Sequence, residues 1–198
     1  MRSVSRIWAI VSIATLSLAA ISVWAGEAEA EAGPFKRHRI AFFTGNTIVP
    51  SGGENEDRLG TAIVPTLAFD YEYWPSRRFA VGWYNDFTLT SFFVKTNREA
   101  PPGASSSEGG KEIIEREPVY LTAVVGIFEP VRRLALYTGP GYEFEESENL
   151  PVWKLGVEYS FPLPNDWDIA LAAAYDYKEI YDSFSVGLSF GKRLGRPR

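Results

Sequence analysis

The residues able to do chemistry in this chain are few and unusually placed. There is one histidine, His38, and no cysteine. Nucleophilic acyl transfer needs a serine, a histidine to take its proton and an acid to orient that histidine. The chain has no His-x-Ser spacing, and His38 stands at the start of an apolar-alternating stretch, where an interfacial role suits it better than catalysis. Two acidic runs, Glu-Asn-Glu-Asp at 54–57 and Glu-Glu-Ser-Glu at 145–148, lack the ligand spacing of a calcium loop and read as solvated loops. No metal and no cofactor is expected. The informative charges are spaced in twos within apolar runs. Asp70 and Glu72 form one such pair, and Asp176 and Lys178 another; Asp86, Glu143, Lys154, Glu158 and Asp168 sit singly in similar runs. A spacing of two in a strand puts side chains on one face.

The elements that place these charges are strands. In residues 62–74, Ile63, Pro65, Leu67, Phe69, Tyr71 and Tyr73 oppose Val64, Thr66, Ala68, Asp70 and Glu72. In 79–90, Phe79, Val81, Trp83, Phe87 and Leu89 share a face on which Asn85 is the exception. In 167–178, Trp167, Ile169, Leu171, Ala173, Tyr175 and Tyr177 oppose Asp168, Ala170, Ala172, Ala174, Asp176 and Lys178. Period two is the strand signal. It predicts eight strands, at 37–49, 61–74, 79–94, 117–128, 134–144, 152–161, 167–178 and 183–193. Most are twice the length of an ordinary strand of about 5–6 residues. "YWPSRRFAV" at 73–81 and "FEPVRRLAL" at 128–136 repeat one device, a proline and an arginine pair between apolar stretches. "FPLPNDWDIAL" at 161–171 is a looser version. Proline leaves the ladder and presets a tight turn. Short turns are therefore expected at 75–78, 129–133 and 162–166, and longer polar connections at the other end.

Composition bounds the rest. A length of 198 residues suits one domain, and a net charge of −5 argues against nucleic acid as a partner. Residues 1–25 join Arg2 and Arg6 to an uncharged run ending Val23-Trp24-Ala25, which predicts a signal peptide and export. A short periplasmic linker is expected at 26–35, the barrel at 36–194 and a basic tail at 195–198.

Alternation leaves open which face is outside. A closed ring of eight strands has an interior just filled by side chains, so six large apolar groups per strand cannot point inward. The opposite face is Gly, Ala, Ser and Thr with single charges, unlike the Lys/Glu surface of a soluble protein. The apolar face therefore meets lipid. Trp74, Phe79, Phe161 and Trp167, beside the turns, are expected in an interfacial aromatic girdle. The fold class is an all-β, eight-stranded antiparallel up-and-down transmembrane barrel, with its short turns in the periplasm.

With that plan, "ALYTGPGYEFE" at 135–145 and "AAAYDYKEIYDSFSVGLSFGKRL" at 172–194 resemble small outer-membrane barrels of the OmpA/OmpX type. The final strand, with Gly187 and Phe190, looks like the assembly signal that ends such barrels, although "KRLGRPR" follows it in place of a terminal Phe. The resemblance implies outer-membrane lipid and the barrel-assembly machinery as partners, a monomer, and a structural or surface-interaction role without catalysis. The loop at 95–116 is expected to be mobile and to meet any surface ligand. Two rivals are a narrow conduit for ions or small solutes and a lipid-modifying enzyme.

Within the lumen, Glu143, Lys154, Asp176 and Lys178 are expected at the outer end, neutralising one another. Asp70, Glu72, Glu158 and Asp168 belong toward the periplasmic end, with Asp86 between. Arg39 joins them if strand 37–49 points it inward, a phase obscured by Phe42 beside Phe43. Around "EPVRR" the expected inward pairs are Phe128–Ala135, Gly126–Tyr137 and Val124–Gly139.

Overall fold

The computed structural model describes residues 36–53, 60–100, 107–108, 110–146 and 148–195. The expected signal peptide and linker, the 54–57 acidic run and residues 196–198 of the tail lie outside the described residues.

Eight long strands close into one antiparallel ring. They are β1 (His38–Val49), β3 (Ala62–Tyr73), β4 (Phe79–Thr88), β8 (Tyr120–Val131), β9 (Leu134–Phe144), β10 (Leu150–Pro162), β11 (Trp167–Lys178) and β12 (Ser183–Leu194). The order around the ring is β1-β12-β11-β10-β9-β8-β4-β3, with β3 pairing back to β1. Closure leaves no unpaired edge, which is what a hydrocarbon environment demands of strands. The three expected turns are present. The tightest is Arg132–Arg133, where Val131 pairs Leu134 and Arg133 takes φ 78. Asn165 and Asp166 also take positive φ, in the short turn before β11.

The exterior is apolar. Among the described residues, 29 large hydrophobic side chains are exposed, enough to exclude a water-facing surface of ordinary composition. Two aromatic bands flank the exterior. Phe79 stacks on Phe128 and Tyr159 meets Phe161 at the turn end. Tyr120 stacks between Phe87 and Phe144 at the other. Asn85, the polar exception on this face, is only 6 % exposed. Its oxygen accepts from the hydroxyls of Tyr120 at 2.8 Å and Thr122 at 3.0 Å, and its amide donates to the Phe69 carbonyl at 3.0 Å. Its polar groups are thus bonded within the protein, as lipid requires.

Three expectations are corrected. The stretch 79–94 is not one strand. β4 ends at Thr88, and the chain leaves the ring to form β5 (Phe92–Glu99), which pairs with β7 (Lys111–Arg116). With β2 (Gly52–Gly53) and β6 (Ser107–Glu108) these make a separate four-stranded sheet over the loop end. Among the described residues, the 95–116 segment is therefore mostly strand, paired as a hairpin. The physical reason is an apolar underside: Phe92 and Val94 are buried with Val49, Val64, Leu150, Ile180 and Tyr181.

The second correction is register. Pro130 has no N–H to give the ladder, and the β8–β9 pairing slips between Phe128 and Val131. One residue of slip exchanges the faces. Ala123, Val125 and Ile127 point inward, whereas Val124 is 55 % exposed. Tyr137 is opposite Ile127 on β8 and Gly156 on β10, not Gly126. Third, Trp74 is not in the outer girdle. It is 3 % exposed, against 56 % for Phe79, 44 % for Phe161 and 46 % for Trp167. Its indole N–H donates to Glu72 at 2.7 Å, so it closes the turn end from inside.

Candidate functional site

The lumen is filled by three tiers of ion pairs, which join ring strands one to three places apart and, nearest the loops, the outer sheet as well. The tier nearest the turns centres on Arg39 of β1. The structure settles the phase of β1: Arg39, Ala41 and Phe43 are buried, and Phe42 is exposed. The guanidinium reaches Glu72 at 2.6 Å, Glu158 at 2.7 Å and Asp168 at 2.6 Å. Gly191 of β12 makes this crossing possible, because a Cβ there would collide with the Arg39 guanidinium and the Asp168 carboxylate. Tyr84 donates to Glu72 at 3.1 Å.

The middle tier centres on Lys154 of β10. Its ammonium lies 2.7 Å from Asp86 of β4 and 2.7 Å from Asp176 of β11. Asp70 lies between these two tiers, 7 % exposed, and accepts the backbone N–H of Asn85 at 3.3 Å. Tyr137 fills the cross-section, edge to face with Tyr84 at 4.9 Å and covering Gly156.

The tier nearest the loops centres on Glu143 of β9. It accepts from Arg116 at 2.7 Å and from the Tyr181 hydroxyl at 2.6 Å, and pairs with Lys178 at 2.9 Å. Lys178 also lies 4.2 Å over the Tyr181 ring. Burial pushes the Tyr181 phenol up from its ordinary value, and the nearby Lys178 and Arg116 charges oppose the rise. Arg116 ties the outer sheet to the ring. It is fully buried, reaches Glu145 at 2.8 Å and donates to the Glu148 carbonyl at 3.0 Å. Arg98 holds Glu148 at 2.8 Å nearby. Two carboxylates of the acidic 145–148 run, Glu145 and Glu148, are thus held by arginines of the outer sheet.

The nine sequence-predicted lumen residues all line the interior, but their pairing differs from the expectation. Glu143 pairs with Lys178 and Arg116, and Lys154 pairs with Asp86 and Asp176. Sequence reasoning missed Arg116 and Tyr181. The signal for Tyr181 was present: Ile180-Tyr181 is a large apolar pair inside a four-residue connection. Nothing marked Arg116, because β7 does not keep a strict alternation of buried and exposed residues. His38 accepts or donates at 2.7 Å to the Tyr71 hydroxyl and packs on Tyr73, at the rim and away from the three tiers.

Between the tiers are two small voids. One of about 30 Å³ is lined by Asp70, Tyr84, Asp86, Tyr137, Lys154 and Glu158. The other, of about 20 Å³, touches Asp86, Glu143, Asp176, Lys178 and Tyr181. A water needs at least about 10–15 Å³ of such volume. Each void is therefore of water size, with no room for a larger solute.

A closed eight-strand ring, apolar outside and ion-paired inside, admits one architecture. This chain is built as a small eight-stranded transmembrane β-barrel.

No family model and no curated protein matches the chain. Solved structures do. Ail, the attachment invasion locus protein of Yersinia pestis, aligns at TM-score 0.48 and 12 % identity, covering 79 % of this chain and 99 % of Ail. Neisserial surface protein A aligns at TM-score 0.48 and 10 % identity, covering 79 % of this chain and 97 % of the other. The outer-membrane protein AlkL aligns at TM-score 0.44 and 16 % identity, with 84 % and 95 % covered. The architecture of the barrel rests on its own ring and exterior.

Proposed function

We propose that the protein is a closed outer-membrane barrel that acts through the sheet at its loop end, as a structural and surface-interaction element without catalysis. The observation that carries this reading is the double closure of the lumen. Three ion tiers fill it, and the β2-β5-β7-β6 sheet lies over the mouth, latched by Arg116. The sheet is tied on by backbone bonds from Lys95 to Ser51 at 2.9 Å and from Asn97 to Ile180 at 2.9 Å. An ordered sheet held on a rigid ring is a suitable platform for a surface ligand, since little ordering entropy remains to be lost on binding. The hairpin 95–116 is the proposed contact, with the short turns on the periplasmic side. No histidine–serine–acid constellation supports the lipid-modifying alternative, and voids of water size oppose the conduit.

The test compares wild type with a barrel in which 97–110 is replaced by a short Gly/Ser turn. Both are refolded and checked for the gel shift on boiling that marks a folded barrel. The reading expects no single-channel current from wild type, and loss of attachment to host-cell or matrix surfaces in the shortened protein. A steady current from intact wild type would replace this reading with the conduit.

A further inference from the structure

The two ends of the barrel carry opposite charge, and the turn end has a collar of cations at the level where lipid headgroups lie. Arg77–Arg78 occupy the β3–β4 turn and Arg132–Arg133 the β8–β9 turn. Lys192 and Arg193 lie near the end of β12. The ring order places these three pairs at separate points of one rim. The carboxylates of the turns themselves are Glu129 and Asp166, and Lys36 neutralises Asp166 at 2.8 Å. At the other end, the 108–117 stretch alone holds Glu108, Glu112, Glu115 and Glu117 against Lys111 and Arg116.

The collar adjoins the apolar band directly. Phe79 follows Arg78 in sequence and is 56 % exposed. The Lys192 ammonium lies 4.5 Å over the ring of Trp167, itself exposed on the lipid face. Arg193 covers the inward-turned Trp74 at 4.8 Å and so stands on the inner side of the rim rather than against the apolar band. An ammonium beside an interfacial tryptophan sits at headgroup depth. A net positive rim in that plane attracts anionic lipid, and the attraction fades within a Debye length.

Given a membrane-spanning barrel, we propose that this rim selects anionic phospholipid headgroups, phosphatidylglycerol being the chemical type, from the leaflet at the turn end. The selection rests on the net charge of the rim, whatever contacts individual arginines make within the protein.

The experiment reconstitutes the barrel in phosphatidylcholine vesicles. Spin-labelled phosphatidylglycerol is compared with spin-labelled phosphatidylcholine by the fraction that the protein immobilises. The expected preference for the anionic lipid is about two- to fivefold, from the attraction of basic residues to an anionic surface. It should fall toward one near 1 M salt, where the Debye length is about 3 Å. It should also fall toward one in Arg77→Gln/Arg78→Gln/Arg132→Gln/Arg133→Gln, and persist in Lys95→Gln/Lys111→Gln at the other end. A ratio of one for inserted wild type overturns the proposal. So does a ratio unaffected by the four glutamines, or one lost only in the loop-end variant. If the fourfold variant does not fold, the salt series on wild type decides. A wild type that sediments with purified peptidoglycan yet shows no lipid preference assigns the collar to the wall and overturns the lipid claim. Failure of wild type to insert at all refutes the membrane reading itself, a result distinguishable from insertion without preference.

Discussion

Lys154→Met tests whether the lumen is a plug. In the wild type one ammonium sits 2.7 Å from both Asp86 and Asp176, and its side chain is only 2 % exposed. Methionine keeps most of the volume and removes the charge, leaving two carboxylates facing each other in a space of water size. Breaking a buried pair by removing one partner costs about 3–5 kcal/mol. Because two acids are left rather than one, the upper half of that range is expected. Adding Asp176→Asn should recover part of the loss, since an amide can donate to Asp86. Adding Glu143→Gln should recover none, because Glu143 is held by Lys178 and Arg116 instead. A double-mutant cycle separates the two cases, with a coupling of about 0.5–3 kcal/mol expected for Asp176 only. The assay is urea unfolding of the refolded barrel, followed by tryptophan fluorescence, with single-channel recording on the same samples. Unchanged stability together with an altered current would refute the plug, because it would mean that water already solvates these charges.

Gly156→Leu should destabilise by about 1–3 kcal/mol through overpacking, since its Cβ would enter the Tyr137 ring. Gly126→Leu should be nearly neutral in the same unfolding assay, because its Cβ meets nothing nearer than the Thr138 carbonyl at 3.9 Å. Leu171→Arg, at a residue 57 % exposed on the lipid face, should cost about 2–4 kcal/mol near mid-bilayer; refolding yield and unfolding in vesicles measure it. Arg116→Gln removes the latch and leaves Glu143 and Glu145 short of a cation. The expected result is about 1–3 kcal/mol of lost stability and faster protease nicking between 95 and 116.

Much of this protein follows from its sequence because a barrel strand is a local object. Ile63 through Tyr73 alternate whatever the neighbouring strand is, and the same holds for Trp167 through Tyr177. The count of ring strands, the three turns and nine of the lumen charges therefore needed no knowledge of contacts. The choice of lipid for the outer face was also legible, since a narrow ring cannot swallow its larger side chains. What failed was whatever depended on register or on a partner far along the chain. The proline slip at Pro130 moves Tyr137 from opposite Gly126 to opposite Ile127, a shift of one residue that local alternation cannot reveal. Lys154 chooses Asp86, three strands away around the ring, only because closure lets the two side chains meet across the lumen. Arg39 needed its neighbours to fix its phase, and Trp74 turned inward because Glu72 offered its indole an acceptor. Arg116 reaches Glu143 only when β5 and β7 fold over the mouth. The sequence determined the kind of barrel and the composition of its interior. The closed ring decided who pairs with whom, because ion pairing falls steeply with distance and distance across a lumen is a property of the fold alone.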